Sequence, residues 1–140
     1  MANSDRRRWM QRLENLEKAD RQLLRACSMG ELSELELTGL IKLFEIAFEL
    51  AWKTLKDLLY YEGYEVNTPR EVMRKAFEAG IIADSQPWLD ALDSRNLMSH
   101  TYDAKQAAEA ERQIKDKYAP LVDSLMHDLL ARKAGSADGE

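Results

Sequence analysis

Apolar side chains recur at helical spacing along most of the chain, and short polar or glycine-containing segments interrupt them. The first helix is predicted to end near Ser28-Met29-Gly30, and the second to run from about Ser33 to Tyr61. Ser33 followed three residues later by Glu36 predicts a capping box at the start of the second helix. Because the second helix carries apolar residues on more than one stripe, we expect it to be packed on two sides and to lie at the centre of the fold. The sequence has no strand pattern, so it predicts an all-α protein.

Capping residues mark the starts of the shorter helices. Thr68-Pro69-Arg70-Glu71 places a cap residue before a proline and a glutamate, which predicts a third helix that ends at Gly80. The fourth helix is expected to begin at Asp84 or Ser85 and to end between His100 and Asp103.

The last part of the chain predicts a fifth helix and a tail. Asp103 with Gln106 resembles a capping box, and Pro120 should kink the fifth helix or split it in two. We therefore expect an antiparallel up-and-down bundle of about five helices. The bundle forms one domain over residues 1–133, and residues 134–140, which have nothing to bury, form a disordered tail.

Composition and charge narrow the class of protein. The 140 residues are 45% hydrophobic and 32% charged, which is typical of a soluble helical protein, and we expect a cytoplasmic location because no apolar run is long enough to cross a bilayer. Cys27 is the only cysteine, so an intrachain disulfide is excluded. The formal net charge of −5 argues against broad attachment to nucleic acid. The basic cluster Arg6–Arg8 with Arg12 is interpreted first as a solvated helix face.

The most informative segment is Arg95-Asn96-Leu97-Met98-Ser99-His100-Thr101-Tyr102-Asp103. If the fourth helix extends through it, Leu89, Leu92, Asn96 and His100 share one face, so polar groups occupy the end of an apolar stripe. Buried and unpaired, such groups would each cost roughly 1–3 kcal/mol, so they should find partners or face a cleft.

These side chains suit phosphodiester chemistry. Histidine is the side chain whose ordinary pKa lies nearest neutrality, so His100 can exchange a proton with a nucleophile or leaving group. The planar fork of Arg95 matches phosphate oxygens, and Asn96 can orient His100 or bind substrate. Attack of a ribose 2′-hydroxyl on the adjacent phosphate needs little else and no metal. From the residues alone, a surface charge beside a capping side chain is the more frequent explanation of such a pair.

The spacing of Arg95 and His100 predicts an oligomer. Five residues turn a helix by about 140°, so one chain does not easily aim both groups at one point. Two copies related by a two-fold axis would place His100 of one protomer opposite Arg95 of the other. We therefore expect a homodimer whose cleft is lined by both copies of the segment.

Two glutamates, Glu45 and Glu49, lie one turn apart on the second helix. They could hold a metal, but Glu49 can pair with Lys53, and either glutamate can pair with Arg95, so a supporting structural role is favoured. The sequence groups no Cys/His ligand pairs and has no glycine-rich phosphate loop, and we expect no metal or cofactor. His127 is expected at the surface.

The segment from Arg95 to Tyr102 resembles the motif of the HEPN superfamily. That motif is Arg, four residues, His, one residue and Tyr, with a polar residue directly after the Arg. The segment Phe44-Glu45-Ile46-Ala47-Phe48-Glu49-Leu50-Ala51-Trp52-Lys53-Thr54-Leu55 and the entry Thr68-Pro69-Arg70-Glu71 resemble its nucleotidyltransferase substrate-binding branch, which includes HepT-like toxins. The similarity covers roughly residues 35 to 105.

The resemblance implies a homodimeric toxin with endoribonuclease activity, paired with a minimal nucleotidyltransferase as antitoxin. It implies a catalytic site of Arg95, Asn96 and His100. We expect Ser99 and Asp103 of the same segment to be supporting residues. It further implies that the partner neutralises the toxin by attaching AMP to the motif tyrosine, Tyr102. The alternative it leaves open is a non-catalytic subunit that presents a substrate to the nucleotidyltransferase.

Overall fold

A computed structural model describes residues 2–100 and 103–138, and these residues form six α-helices and one π-helical turn. The helices are α1 (Ala2–Ser28), α2 (Glu34–Tyr61), α3 (Pro69–Glu78), α4 (Gln86–Met98), α5 (Ala104–Gln113) and α6 (Ala119–Asp138), with the π-helical turn Ile114–Tyr118 between the last two. The predicted all-α class is confirmed, and the predicted fifth helix is split ahead of Pro120. None of the described helices is long and apolar enough to span a membrane.

Side chains that join helices show how the bundle is arranged. Arg12 of α1 donates a hydrogen bond of 2.8 Å to Asp57 of α2, so these two helices run antiparallel. The Phe44 ring stacks on Tyr118 with centroids 5.6 Å apart, whereas Arg132 near the end of α6 bonds to Glu62 just after α2. The α6 helix therefore runs parallel to α2, and the short helices α3 and α4 return the chain between them.

The predicted central helix is α2. It packs against α1, α3, α5 and α6, and buries the rings of Phe44 and Phe48 completely. Full burial of such side chains contributes about 1.5–3 kcal/mol each. The rings meet at 5.9 Å, and Phe48 also contacts Trp88 of α4 at 6.1 Å, which ties α4 to the centre of the core.

Three of the predicted caps form, whereas Ser85 at the start of α4 makes no side-chain cap hydrogen bond. Ser33 and Glu36 make both hydrogen bonds of a capping box, at 3.1 and 2.8 Å. The Thr68 side chain accepts from the backbone N–H of Glu71, and that of Asp103 accepts from Gln106. These bonds satisfy N–H groups that a helix start leaves unpaired, so the caps fix where α2, α3 and α5 begin.

The end of α4 differs from the sequence prediction. The helix ends at Met98, two residues before the predicted limit, and Ser99 is its cap residue. Its buried face is formed by Trp88, Ala91, Leu92 and Met98, whereas Asn96 and His100 are exposed. The prediction that Asn96 and His100 continue the apolar stripe was therefore wrong, because burial of Trp88 and Met98 sets the rotation of the helix.

The π-helical turn lies directly before Pro120. Proline has no backbone N–H and crowds the preceding turn, and here the N–H of Ala119 bonds back five residues to Ile114. After this turn Val122, Leu125 and Leu129 are buried, whereas Leu121 is only partly buried. The sequence predicts disorder from residue 134, whereas α6 continues to Asp138.

Candidate functional site

Arg95 occupies the inner face of α4 beside α2. Its Nη1 donates to Glu49 Oε2 at 3.0 Å, and its guanidinium lies 5.7 Å from the centre of the Phe48 ring. A second nitrogen, Nη2, donates to Asn96 Oδ1 at 3.2 Å. Only 27% of the side chain is exposed. The fork is thus held in one orientation by a carboxylate, an amide and an aromatic face.

Glu49 links Arg95 to two further donors on α2. The indole Nε1 of Trp52 donates to its Oε2 at 2.9 Å, and Lys53 Nζ lies 3.1 Å from its Oε1. Burial alone would raise the pKa of Glu49, but the hydrogen bonds from Trp52 and Lys53 and the charges of Lys53 and Arg95 outweigh it and lower the pKa. The carboxylate therefore stays ionised, and the predicted pairing of Glu49 with both Lys53 and Arg95 is confirmed.

Asn96 and Ser99 complete a small concave surface on the same side of α4. Glu45, Arg95, Asn96 and Ser99 line a cavity of about 220 Å³, which we call the Arg95 cavity. Ser99 Oγ donates to the backbone oxygen of Asn96 at 2.8 Å. The carboxylate of Glu45 lies 3.7 Å from Lys42 Nζ. The cavity therefore combines the fixed cation of Arg95 with two neutral hydrogen-bonding side chains and the carboxylate of Glu45.

His100 lines a different cavity. Its neighbours there include Ser94, Leu97, Lys105 and Glu109, in a volume of about 610 Å³ that we call the His100 cavity. Leu97 is 74% exposed although it lines this cavity. Within one protomer, Arg95 and His100 thus open onto separate concave surfaces at the end of α4.

A third cavity lies beside the Arg95 cavity and the His100 cavity, between the end of α4 and the helices α2 and α5. It has a volume of about 590 Å³, and both Ser99 and Asp103 line it, together with Glu45. Thr101 and Tyr102, the residue of the predicted modification, lie between Ser99 and Asp103 in the sequence and outside the described residues.

Asp20 of α1 is a buried carboxyl group that the sequence did not lead us to expect. Its side chain is fully buried, and among the residues that the structure describes no hydrogen-bond donor reaches its oxygens when it is ionised. Burial, a hydrogen bond with Asp123 of α6 and the charge of Asp123 raise the pKa of Asp20 to about 8. The position could have been found, because Asp20 lies four residues after Leu16 and three before Leu23 on the apolar stripe of α1.

Cys27 and His127, which the sequence also singles out, lie in surroundings typical of residues without a catalytic role. Cys27 is half-buried against the core, where burial raises the pKa of its thiol. His127 is exposed as predicted and lies 3.5 Å from Asp123. In the part of the chain that the structure describes, no three His, Cys, Asp or Glu residues are grouped so as to hold a metal ion.

Most of the chain matches a known protein family. The family model described as "Nucleotidyltransferase substrate binding protein like" matches residues 11–131. The chain belongs to this family. It is the nucleotidyltransferase substrate-binding branch of the HEPN superfamily, as the motif around Arg95 and His100 predicts.

Two relatives of this family member are informative. A protein of Haemophilus influenzae (strain ATCC 51907 / DSM 11121 / KW20 / Rd), "Probable ribonuclease HepT", is 33% identical over 87 residues, which cover 57% of this chain. The aligned region spans 58% of that relative's length. A crystal structure of a Thermus thermophilus protein is 34% identical, with a TM-score of 0.73, and the match covers 84% of this chain and 98% of that one. The family and the fold are thereby shown.

Proposed function

We propose that this protein is a metal-independent endoribonuclease of the HEPN type and acts as the toxin of a two-component system. The observation that carries the proposal is the fixed guanidinium of Arg95, held beside Asn96 five residues before an exposed histidine. The similarity to a probable ribonuclease supports the same reaction class. The catalytic residues of the proposal are Arg95, Asn96 and His100.

The proposed reaction uses the ribose as its own nucleophile. The 2′-hydroxyl loses its proton to a general base and attacks the adjacent phosphorus, and the bond to the 5′-oxygen breaks as that oxygen gains a proton. His100 exchanges one of these protons, and Arg95 stabilises the charge that develops on the phosphate oxygens. Asn96 holds the Arg95 fork through its amide oxygen. The products are a 2′,3′-cyclic phosphate and a 5′-hydroxyl.

The proposed active form is a homodimer. Arg95 and His100 open onto separate cavities in one protomer, and a second copy related by a two-fold axis can bring the two types of group to one cleft. Two exposed apolar side chains, Leu35 at 82% and Leu97 at 74%, supply surface for such a contact.

The experiment that tests the proposed activity is RNA cleavage in the presence of EDTA. We expect the purified protein to cut RNA without added metal and to leave 2′,3′-cyclic phosphate and 5′-hydroxyl ends. The 3′ ends should resist phosphatase until acid opens the cyclic phosphate, and polynucleotide kinase should label the 5′ ends without prior phosphatase treatment. Buffer from a mock purification controls for contaminating nucleases. Cleavage that requires a divalent cation, or products with 5′-phosphates, would contradict the mechanism.

The description of the family favours a second candidate function, that of a binding subunit for a nucleotidyltransferase. In that case the protein turns over no RNA and instead presents a substrate to a partner enzyme. Both functions include the same partner, a minimal nucleotidyltransferase. An adenylylated Tyr102, two residues from His100, would add bulk and negative charge close to the place where RNA phosphates must bind.

Transfer of AMP to Tyr102 is therefore a separate prediction. The phenolic oxygen would attack the α-phosphorus of ATP, pyrophosphate would leave, and the phenolic proton would pass to solvent. Intact mass spectrometry after incubation with the partner and ATP should show added AMP, and Tyr102→Phe should remove the adduct. Tyr64→Phe serves as a control, since Tyr64 is exposed. An adduct that persists in Tyr102→Phe would place the modification elsewhere.

A further inference from the structure

A second polar surface lies between α1 and α2, away from Arg95 and His100. Arg8 and Arg12 of α1 line a cavity of about 440 Å³ together with Lys56 and Tyr60 of α2, and we call this cavity the basic groove. The other residues that line it are Asp57, Glu65, Val66 and Asn67. This surface contains part of the basic cluster that the sequence analysis interpreted as a solvated helix face.

The charges of the basic groove leave two cations available. Arg12 is held by Asp57 at 2.8 Å, and this pair is neutral overall. Among residues 2–100 and 103–138, neither Arg8 nor Lys56 forms an ion pair, and together they outweigh the single charge of Glu65. A phosphate group can therefore approach Arg8 and Lys56 without displacing an existing carboxylate partner.

An exposed aromatic ring accompanies these cations. Tyr60 is 50% exposed and lies on the wall of the basic groove. A cationic groove with an exposed ring is the combination by which proteins bind single-stranded nucleic acid, since the ring stacks on an unpaired base while the cations contact the backbone. A duplex offers no free base face to such a ring.

The basic groove follows the candidate site along the same face of α2. Glu49, Lys56 and Tyr60 project from one side of the helix, because successive steps of seven and four residues return to nearly the same angle. At a rise of about 1.5 Å per residue, Lys56 lies roughly 10 Å along the helix from Glu49, the partner of Arg95. That separation spans about two to three nucleotides, since a stacked strand rises about 3.4 Å per nucleotide and an extended strand rises more.

We infer that the basic groove binds the backbone of single-stranded RNA a few nucleotides from the phosphate that is cleaved, with Tyr60 stacked on an unpaired base. The choice of RNA as ligand rests on the proposed function. The inference adds a substrate class, an unpaired strand, and a second contact region on each protomer.

The test compares RNA binding by two charge-matched double variants. Both are made in the His100→Ala background so that the RNA stays intact. Arg8→Gln/Lys56→Gln removes the two available cations, and Lys18→Gln/Arg74→Gln removes two exposed cations outside the basic groove. We expect the first pair to weaken binding of a labelled single strand by about tenfold, and the second by less than about twofold. A plot of the logarithm of the RNA association constant against the logarithm of the salt concentration should become shallower by about 1.4 for the first pair. The reason is that each single-strand phosphate contact contributes about 0.7 to the slope.

Tyr60 is tested with a pair of variants and a pair of ligands. Tyr60→Ala should weaken single-strand binding by about tenfold, Tyr60→Phe should retain it, and a duplex of the same sequence should bind both equally. Thermal unfolding of every variant checks the fold, because Arg8, Lys56 and Tyr60 are exposed or half-buried.

The outcomes separate this inference from the proposed activity. If the first double variant binds RNA like the second while the His100-containing protein cleaves RNA, the basic groove is not the contact and the ribonuclease proposal stands. If RNA binds through Arg8 and Lys56 but is never cleaved, the groove is supported and the catalytic proposal is wrong. If the protein neither binds nor cleaves RNA, both are overturned.

Discussion

Replacement of His100 with alanine is expected to lower RNA cleavage by about 10²–10⁴-fold, because a general acid or base contributes a factor of this size. His100 is exposed, so the variant should fold and associate like the parent protein. Initial rates with an end-labelled RNA in EDTA measure the effect, and size-exclusion chromatography measures the association state. His127→Ala is the matched control, since His127 is also exposed and lies on α6.

Equal cleavage by His100→Ala and the parent protein would eliminate His100 from the mechanism. A loss of cleavage that accompanies a loss of helical content or of the dimer would instead show that the variant is misfolded. In that event His100→Gln, which keeps the size and polarity of the side chain without its proton chemistry, decides the question.

Mixing two inactive variants tests whether each active site is built from two protomers. In a two-fold dimer that joins His100 of one copy to Arg95 of the other, a mixed dimer of His100→Ala and Arg95→Ala retains one complete site. Random exchange makes about half of the dimers mixed, so the mixture should recover about one quarter of the parent activity. No recovery, although mixed dimers form, would show that the two groups act within one chain or not together.

We expect a second large effect from Asp20, on the free energy of unfolding rather than on RNA cleavage. Its pKa is about 8 in the folded protein and 3.8 for an ordinary exposed aspartate, so between about pH 4 and pH 8 the unfolded chain loses a proton that the folded chain keeps. The free energy of unfolding should therefore fall as pH rises through this window and level off above about pH 8.

The substitution Asp20→Asn should raise stability at pH 7 and flatten this dependence. Asparagine needs no proton to stay neutral, and its amide can donate to Asp123, so we expect a gain of about 1–3 kcal/mol in the free energy of unfolding. Urea denaturation at pH 5, 7 and 8.5 measures it. Asp128→Asn, an exposed position on α6, controls for the change in net charge. A destabilised Asp20→Asn variant at pH 7 would mean that the ionised form of Asp20 is the stable one.

The fold was predictable because its boundaries depend on local chemistry. Ser33, Thr68 and Asp103 each cap the helix that the sequence assigned to them, and such caps act through hydrogen bonds within four residues. The position of α2 at the centre follows from its wide apolar surface. These signals do not depend on how distant segments meet, so the sequence contains them in full.

Features that depend on distant contacts were predicted less well. The rotation of α4 is set by Trp88 against Phe48, which buries Arg95 partly and leaves Asn96 and His100 exposed, contrary to the periodicity that was assumed. The π-helical turn before Pro120 rests on a hydrogen bond from the N–H of Ala119 to the oxygen of Ile114, which no periodic template includes. In the candidate site, the pairing of Glu49 with Arg95 was predictable from their charges, whereas the third donor, Trp52, was not.

The three donors around Glu49 make it easier for Arg95 to bind a substrate phosphate. When a phosphate takes the Arg95 fork, Glu49 keeps the indole N–H of Trp52 and the ammonium of Lys53. The guanidinium thus exchanges one anion for another, and the carboxylate of Glu49 is not left without hydrogen-bond donors. Release of Arg95 from its resting partner therefore opposes capture of the strand only weakly.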